Sequence, residues 1–543
     1  MKSLPGEQGA QRELSPRQHQ ILSMLRAGKV NKEIATELGI GLGTVKQHVV
    51  ALFKKLDVSN RAMAVSRGMQ MQPAARAENV PSLVSEALLE YRPCVVLSVA
   101  LPESAPQALG RKMQQVLAAF AFDHDALFLA RKGHAGDLIF GVQRATEQDL
   151  FLALRAARTV VGEIAVTDVQ STGLRGALTA GLAIASMNRT GGWSGEAIAS
   201  IAIAQGRELA NNAMPGQLAI AQGAGELLRV LNPNSPGPVP ASLPFATAER
   251  VPWQPGGAES PPLGRDAELL RIDALLEQAA AGSGTMLLLA GETGMGKSRL
   301  CRYVVGRIIA VGGKVHHFVC RPDGDAAIPY VSPSGDCVAQ SALFECLAGE
   351  PAGRPEAVIV DDCHFLPPEE LERLSRAAAA APGKFVLLTA RRFADAGARP
   401  AHSIRLGRLE PREIERIAAT TLGRSKTPAR IESIVRRAAG VPLFALELAR
   451  QRKPDMLPLS LRVLIGSRMD GLKLDRAVLR KIARARSAWD AARLARELNE
   501  PLEAVQTSIA LAVASGVLNL DADGKLRFAH PLLRQAIDLA GVE

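Results

Sequence analysis

Residues 285–300 read TMLLLAGETGMGKSRL, an apolar run followed by three glycines in six residues and then a lysine and serine that open a helical stretch. No other segment constrains the fold as tightly. The run is too short for a useful helix and has the composition of a buried strand, while the glycines allow the tight backbone turns that lead from a strand into a helix. Strand, loop and helix in that order begin an α/β layer. The spacing Gly291-x4-Gly296-Lys297-Ser298 also carries chemistry: backbone N–H groups of such a loop surround a β-phosphate, the lysine reaches the β and γ oxygens, and the hydroxyl coordinates magnesium. Gly291, Thr293, Gly294, Gly296, Lys297, Ser298 and Arg299 are therefore the candidate contacts for ATP or ADP with Mg2+.

Two later strands supply context. AVIVDDCHF, residues 357–365, delivers Asp361 and Asp362 at the end of an apolar run. Asp361 is the candidate magnesium ligand with Ser298, and Asp362 the candidate for orienting an attacking water. KFVLLTARRF, residues 384–393, ends in Arg391 and Arg392, where either a γ-phosphate sensor or a solvated strand end fits.

At 543 residues the chain exceeds one hydrophobic core, and three or four domains are expected. No apolar run is long enough to cross a bilayer, and MKSLPGEQGA has no export signal, so a cytoplasmic location without membrane contact is expected. Six scattered cysteines without a CxxC pair indicate neither a disulfide framework nor a zinc site. The net charge is +11, and residues 1–72 hold eleven Lys and Arg against five Asp and Glu. A positive field concentrated in so short a segment suits a polyanion partner.

Within that segment, Ser15 caps a helix that begins at Pro16, Gly39 supplies a turn, and Val45, Val49, Leu52, Phe53 and Leu56 share one face of a third helix. Lys46, Gln47, Val50 and Lys54 occupy the other face, which makes a helix-turn-helix. Through LSPRQ, NKEIATELGI, GTVKQH and KLDVSNRAMAV the segment resembles the LuxR type, with Gly41 and Leu42 as departures from the usual cap and acid. The resemblance implies double-stranded DNA as partner and Lys32, Thr44, Lys46, Gln47, His48, Val50 and Lys54 as its contacts. Gln47 suits an adenine edge, and the lysines suit phosphates.

From residue 80 to 231 strands and helices alternate with hairpins, an α+β pattern. A strand at CVVLSVAL (94–101), a hairpin turning at 133–137, helices at 148–164 and 195–211, and strands at GLRGALTAGLAIA (173–185) and GQLAIA (216–221) are expected. GDLIFGV, LRGALTAGLAIA, WSGEAI and AMPGQLAIA resemble the class III nucleotide cyclase homology domain. Carried across, one metal-binding Asp falls on Asp137, but the other falls on Ala100, and the Asn and Arg that stabilise the transition state fall on Ala199 and Ile203. Such a site is chemically silent. Asp137 is then read as shaping the hairpin turn rather than binding metal, with Arg207, one helical turn past Ile203, as a displaced substitute.

Residues 232–264 are rich in Pro and Gly and read as a linker. Beyond it, LGRDAELLRIDALLEQ, LGRLEPREIERIA, AGVPLFALELAR and LRFAHPLLRQAI join the phosphate loop in resembling the STAND class of AAA-related ATPases, especially those of large LuxR-type regulators. That resemblance implies Pro442 on the adenine, a winged helix after the lid, and either a diphosphate contact or a cap or core role for His530. Arg391 is kept as the candidate γ-phosphate contact.

The expected layout is multidomain: an all-α helix-turn-helix (1–72), an α+β cyclase-like domain (80–231), a linker (232–262), an α/β P-loop NTPase core (263–400), a helical lid (401–455) and a winged helix (456–543). It implies a regulator in which ADP/ATP exchange controls homo-oligomer formation and promoter binding, with slow ATP hydrolysis and room for an RNA polymerase contact. The alternatives are an active cyclase governed by the fused ATPase and a nucleotide-independent DNA-binding scaffold.

Overall fold

The computed structural model describes residues 88–164, 172–231 except 197, 239–245, 261–320, 330–331, 337–338, 340–349, 353–392 except 382, 402–485 except 452 and 454–455, 489–521 and 524–542. Of the amino-terminal module it describes the helix Pro16–Arg26 and, singly, Ile34, Glu37, Leu38, Val45, His48, Val49, Leu52 and Lys55. The chain divides into two units, one of residues 1–221, 466–527 and 537–543, the other of residues 222–465 and 528–536. The expected serial layout is thus interleaved, because most of the predicted winged helix groups with the first unit.

In the first unit the strands are β1 (Leu88–Ala100), β2 (Leu127–Arg131), β3 (Ala135–Phe140), β4 (Arg175–Met187), β5 (Ala199–Ser200) and β6 (Gln217–Ile220). Their order is β2-β3-β1-β4-β6, with β5 on β4. β1 is antiparallel to both neighbours, and β4 is parallel to β6. β1 sits centrally because its last nine residues are all buried, which only a strand covered on both faces permits. The helices Gln107–Asp123 and Asp149–Ile164 pack together, and the helix Ile201–Asn212 lies against β4 and β1.

Several expectations shift here. β1 starts six residues before Cys94. The hairpin turn lies at residues 132–134, which puts Asp137 inside β3. The helix expected from residue 195 starts at Ile201, where Ser200 Oγ accepts from Ala202 N at 3.2 Å and caps it. Ile21, Leu22, Leu25, Ile34, Val45, Val49 and Leu52 form one buried cluster with Leu38 beside it, as the helix-turn-helix spacing predicts, and Phe122 packs against it.

The carboxyl-terminal part of this unit includes the helices Arg476–Arg484, Ala491–Leu498 and Leu502–Ala514, followed by the hairpin Leu518–Leu520 and Leu526–Phe528. Asp475 and Asp490 cap the first two helices through backbone N–H groups.

The second unit opens with the helix Gln222–Leu231 and the short strand β7 (Ser242–Pro244), a regular element inside the stretch read as linker. Its sheet comprises β8 (Thr285–Ala290), β9 (Lys314–Val319), β10 (Tyr330–Val331), β11 (Cys337–Val338), β12 (Glu356–Asp361), β13 (Lys384–Ala390) and β14 (His402–Arg405). The order is β11-β10-β9-β12-β13-β8-β14, parallel from β9 to β14. Strand alternation divides the core into two: Leu287, Leu289, Ala357, Ile359, Phe385 and Leu387 face one cluster, Leu288, Val358, Val360, Val386 and Leu388 the other. β14 pairs with β8, so residues 402–405 of the stretch expected as lid are part of the sheet. Three helices follow, Pro411–Leu422, Pro428–Ala438 and Pro442–Arg450, each with proline in its first turn.

Candidate functional site

The phosphate-type loop occupies residues 291–296, between β8 and the helix Lys297–Ala310. Gly294 and Gly296 have φ of 86° and 100°, which side-chain-bearing residues rarely adopt. At Gly294 an added Cβ would also lie 3.1 Å from Leu443 Cβ and 3.2 Å from Val441 Cγ1. At Gly296 it would meet nothing within 4 Å, so there the glycine is required by conformation alone.

Four elements hold this loop. Gly291 N donates to Ala390 O of β13 at 3.1 Å, and Leu406 N donates to Ala290 O at 2.8 Å. Leu443 N, next to Pro442 in the first turn of the helix Pro442–Arg450, donates to Gly294 O at 3.2 Å. Buried Arg265 donates to Met295 O at 3.1 Å and to Gly407 O at 2.7 Å. Arg265 lies in LGRDAELL, a segment read only as family resemblance. Its role depends on the two carbonyls across the fold that it joins.

Lys297 is buried, and its Nζ donates to Gly291 O at 2.7 Å and Glu292 O at 3.4 Å, which keeps the ammonium over the loop. Ser298, Thr293 and Arg299 are half-buried. Asp361 ends β12 as a buried carboxylate that accepts from Thr389 Oγ1, and the same hydroxyl accepts from Asp362 N at 2.9 Å. Asp362 is held at φ 56°, a left-handed conformation that Asp tolerates better than most residues. Thr389 is the main residue that motif reading missed. Because β13 lies between β8 and β12, it stands at the carboxyl end of the sheet beside both motifs. Arg391 is exposed, with its guanidinium 5.8 Å from the Phe365 ring. A hydroxyl, a carboxylate and an ammonium around a glycine loop suit a divalent cation and phosphate oxygens.

His530 is buried with both ring nitrogens engaged: Nδ1 accepts from Leu532 N at 3.1 Å, and Nε2 faces Ala438 O at 3.1 Å. The first contact makes Nδ1 the acceptor, so Nε2 carries the proton. The ring meets Phe444 edge-on at 5.2 Å. These contacts match the cap or core role and leave neither nitrogen for a phosphate in this conformation.

In the first unit, Asp137 is fully buried and paired with Arg131 (3.3 Å) and Arg207 (2.8 Å). The turn-shaping role expected of it is therefore replaced by that of a buried ion-pair centre in mid-strand. Burial pulls the Arg131 guanidinium below its usual range, which Asp137 opposes and Arg207 reinforces. Ser98 is its partner across β1, and Ala100 lies two residues further on the same face. Ile203 packs into the core with Cys94 and Val96, and Ala199 is exposed on β5. Arg207, expected as a displaced substitute, thus pairs with Asp137.

Of the expected DNA contacts, His48 is half-buried, while Lys32, Thr44, Lys46, Gln47, Val50 and Lys54 lie outside the described residues. No helix among the described residues is long and apolar enough to cross a membrane.

Residues 12–67 match the family model described as bacterial regulatory proteins, luxR family, and residues 261–427 match that described as AAA ATPase domain. The chain is 53% identical over 51 residues to YhjB of Escherichia coli, covering 9% of this chain and 26% of that protein. It is 45% identical over 62 residues to the transcriptional regulatory protein LiaR of Bacillus subtilis, covering 11% and 27%. It therefore spans about a quarter of the length of these curated relatives. Among solved structures, a RuvB mutant of Thermotoga maritima covers 49% of this chain and 92% of its own at 18% identity and a TM-score of 0.29. A STAND protein with a tetratricopeptide repeat sensor from Pyrococcus horikoshii gives 49%, 41%, 13% and 0.24. The guanylyl cyclase domain of the RhoGC fusion protein of Blastocladiella emersonii gives 26%, 88%, 12% and 0.22. TM-scores this low assign no fold. The chain carries a luxR-type helix-turn-helix and an AAA ATPase domain.

Proposed function

We propose that this chain is a cytoplasmic transcriptional regulator whose hold on promoter DNA is set by the adenine nucleotide at residues 291–298. The observation that carries the reading is the bond from Leu443 N to Gly294 O, which ties the Gly-Val-Pro segment of the lid directly to the phosphate loop. A change in the phosphates at the loop is thereby felt by the lid. Lys297, Ser298 and the loop amides hold the phosphates, Asp361 and Ser298 hold magnesium, and Pro442 packs on the adenine. Bound magnesium offsets charge on the phosphate oxygens.

ADP favours a closed form, and exchange for ATP favours self-association. The nucleotide shifts this balance only by its difference in affinity for the two forms. Association brings helix-turn-helix modules to half-sites one helical turn apart and raises affinity through effective concentration. Slow hydrolysis, with Asp362 orienting water, resets the state. The cyclase-like domain is a silent module. Its surviving carboxylate, Asp137, is sequestered between Arg131 and Arg207, which supports the absence of cyclase activity.

Sizing and footprinting with ADP and with a non-hydrolysable ATP analogue test the switch. Larger mass and stronger protection with the analogue, both lost in Lys297→Ala, are expected. Identical mass and protection in the two nucleotides would remove the proposal.

A further inference from the structure

The short 3-10 turn Cys363–Phe365 follows Asp362 and carries an imidazole that none of the assigned roles uses. The His364 side chain is 9% exposed, and neither Nδ1 nor Nε2 has a hydrogen-bond partner. Asp362 Oδ1 lies 3.8 Å from Nδ1, beyond hydrogen-bond range. Buried polar groups in native proteins are nearly always bonded, and one that is not calls for a physical reason.

The surroundings give that reason. Burial, then Arg391 and Lys297, push the His364 ring down to about 3, so it is neutral and carries one N–H donor and one acceptor. The two cations that act on it are the phosphate-loop lysine and the arginine at the end of β13. Both cations are candidate phosphate contacts. The ring is oriented by packing instead of hydrogen bonds: it lies tilted on Phe365 with centroids 4.1 Å apart. The turn is anchored by the bond from Asp362 N to Thr389 Oγ1. A donor shielded from water acts more strongly on an anion than one exposed to it.

We propose that His364 discriminates a nucleoside triphosphate from a diphosphate, by donating its ring N–H to the terminal phosphate. The inference rests on the nucleotide reading of residues 291–298 and adds to it the residue that makes the two nucleotides differ. Asp361, Ser298 and the loop amides serve both nucleotides, whereas the His364 bond exists only with the third phosphate.

The test is equilibrium binding to the full chain, by calorimetry with magnesium, of ADP and of a non-hydrolysable ATP analogue. His364→Ala is expected to bind ADP within about twofold of the parent and the analogue about tenfold more weakly, the size of one hydrogen bond to a charged group. His364→Gln, which keeps an N–H donor on a flexible arm, is expected to recover part of the loss, and its melting temperature alongside that of the parent separates binding from misfolding. Equal weakening of both nucleotides, or no change in either, overturns the role given to His364 while leaving the nucleotide site in place. If the parent chain takes up neither nucleotide, the site reading fails first.

Discussion

Removing the Asp470 carboxylate should destabilise the first unit by about 3 kcal/mol, the lower end of the range for breaking a buried ion pair. The side chains of Asp470, Arg92 and Glu90 are 4%, 3% and 2% exposed, so none is screened by solvent. Asp470 accepts from Arg92 Nη1 and Nη2, from Arg476 and from Ala145 N at 2.6 Å. Glu90 accepts from Arg476 at 2.5 Å and lies 4.0 Å from Arg92. Two cations and two anions balance, and Asp470→Ala leaves one buried positive charge over. Glu90 still faces Arg92, which is why the lower figure applies. Urea unfolding followed by tryptophan fluorescence reads this unit well, because Trp193 and Trp489 both belong to it. A drop below about 1 kcal/mol would show that the charges are solvated in solution. In the double variant Arg92→Met with Asp470→Leu, the loss should be smaller than in either single variant, since no charge is then stranded. Additive losses would refute the coupling that this reasoning requires.

Thr389→Val keeps the shape of the side chain but strips Asp361 of a donor and Asp362 N of an acceptor. A loss of about 1–3 kcal/mol in the second unit and weaker magnesium-dependent nucleotide uptake are expected, and an unchanged melting temperature would contradict the first. The Asp149 carboxyl is pushed up to about 7 by burial, against bonds from Thr146 and with Asp470 adding to the rise. The folded state therefore holds a proton that the unfolded chain has lost, so this contribution is complete below about pH 4 and disappears as pH rises through 7. Asp149→Asn should flatten the stability profile between pH 4 and 7, and parallel profiles for variant and parent would exclude a titrating Asp149.

The nucleotide candidates were legible because the phosphate loop is contiguous: Gly291 to Ser298 match a spacing whose chemistry uses backbone amides and adjacent side chains. The buried strands of the sheet were equally legible, since their near-continuous apolar runs suit strands covered on both faces. Thr389 was not, because a threonine at the end of an apolar strand carries no signal until strand order places it against Asp361. Asp137 was misplaced for a related reason. Hairpin sequence near Gly133 suggested a wider turn, and only the cross-strand register with Ser98 puts the carboxylate in mid-strand.

The sequence by itself determined local events: where strands run, where glycine lets the chain turn at positive φ, which helix faces are apolar, and that a luxR-type module precedes an AAA ATPase domain. Tertiary structure alone decided the long-range pairings. It joined residues 466–527 to the first unit through Asp470 and Arg92, engaged both nitrogens of His530, and left those of His364 without partners. The reason is physical: periodicity and backbone conformation act over a few residues, whereas a buried charge or imidazole is defined by whichever distant segment the topology brings against it.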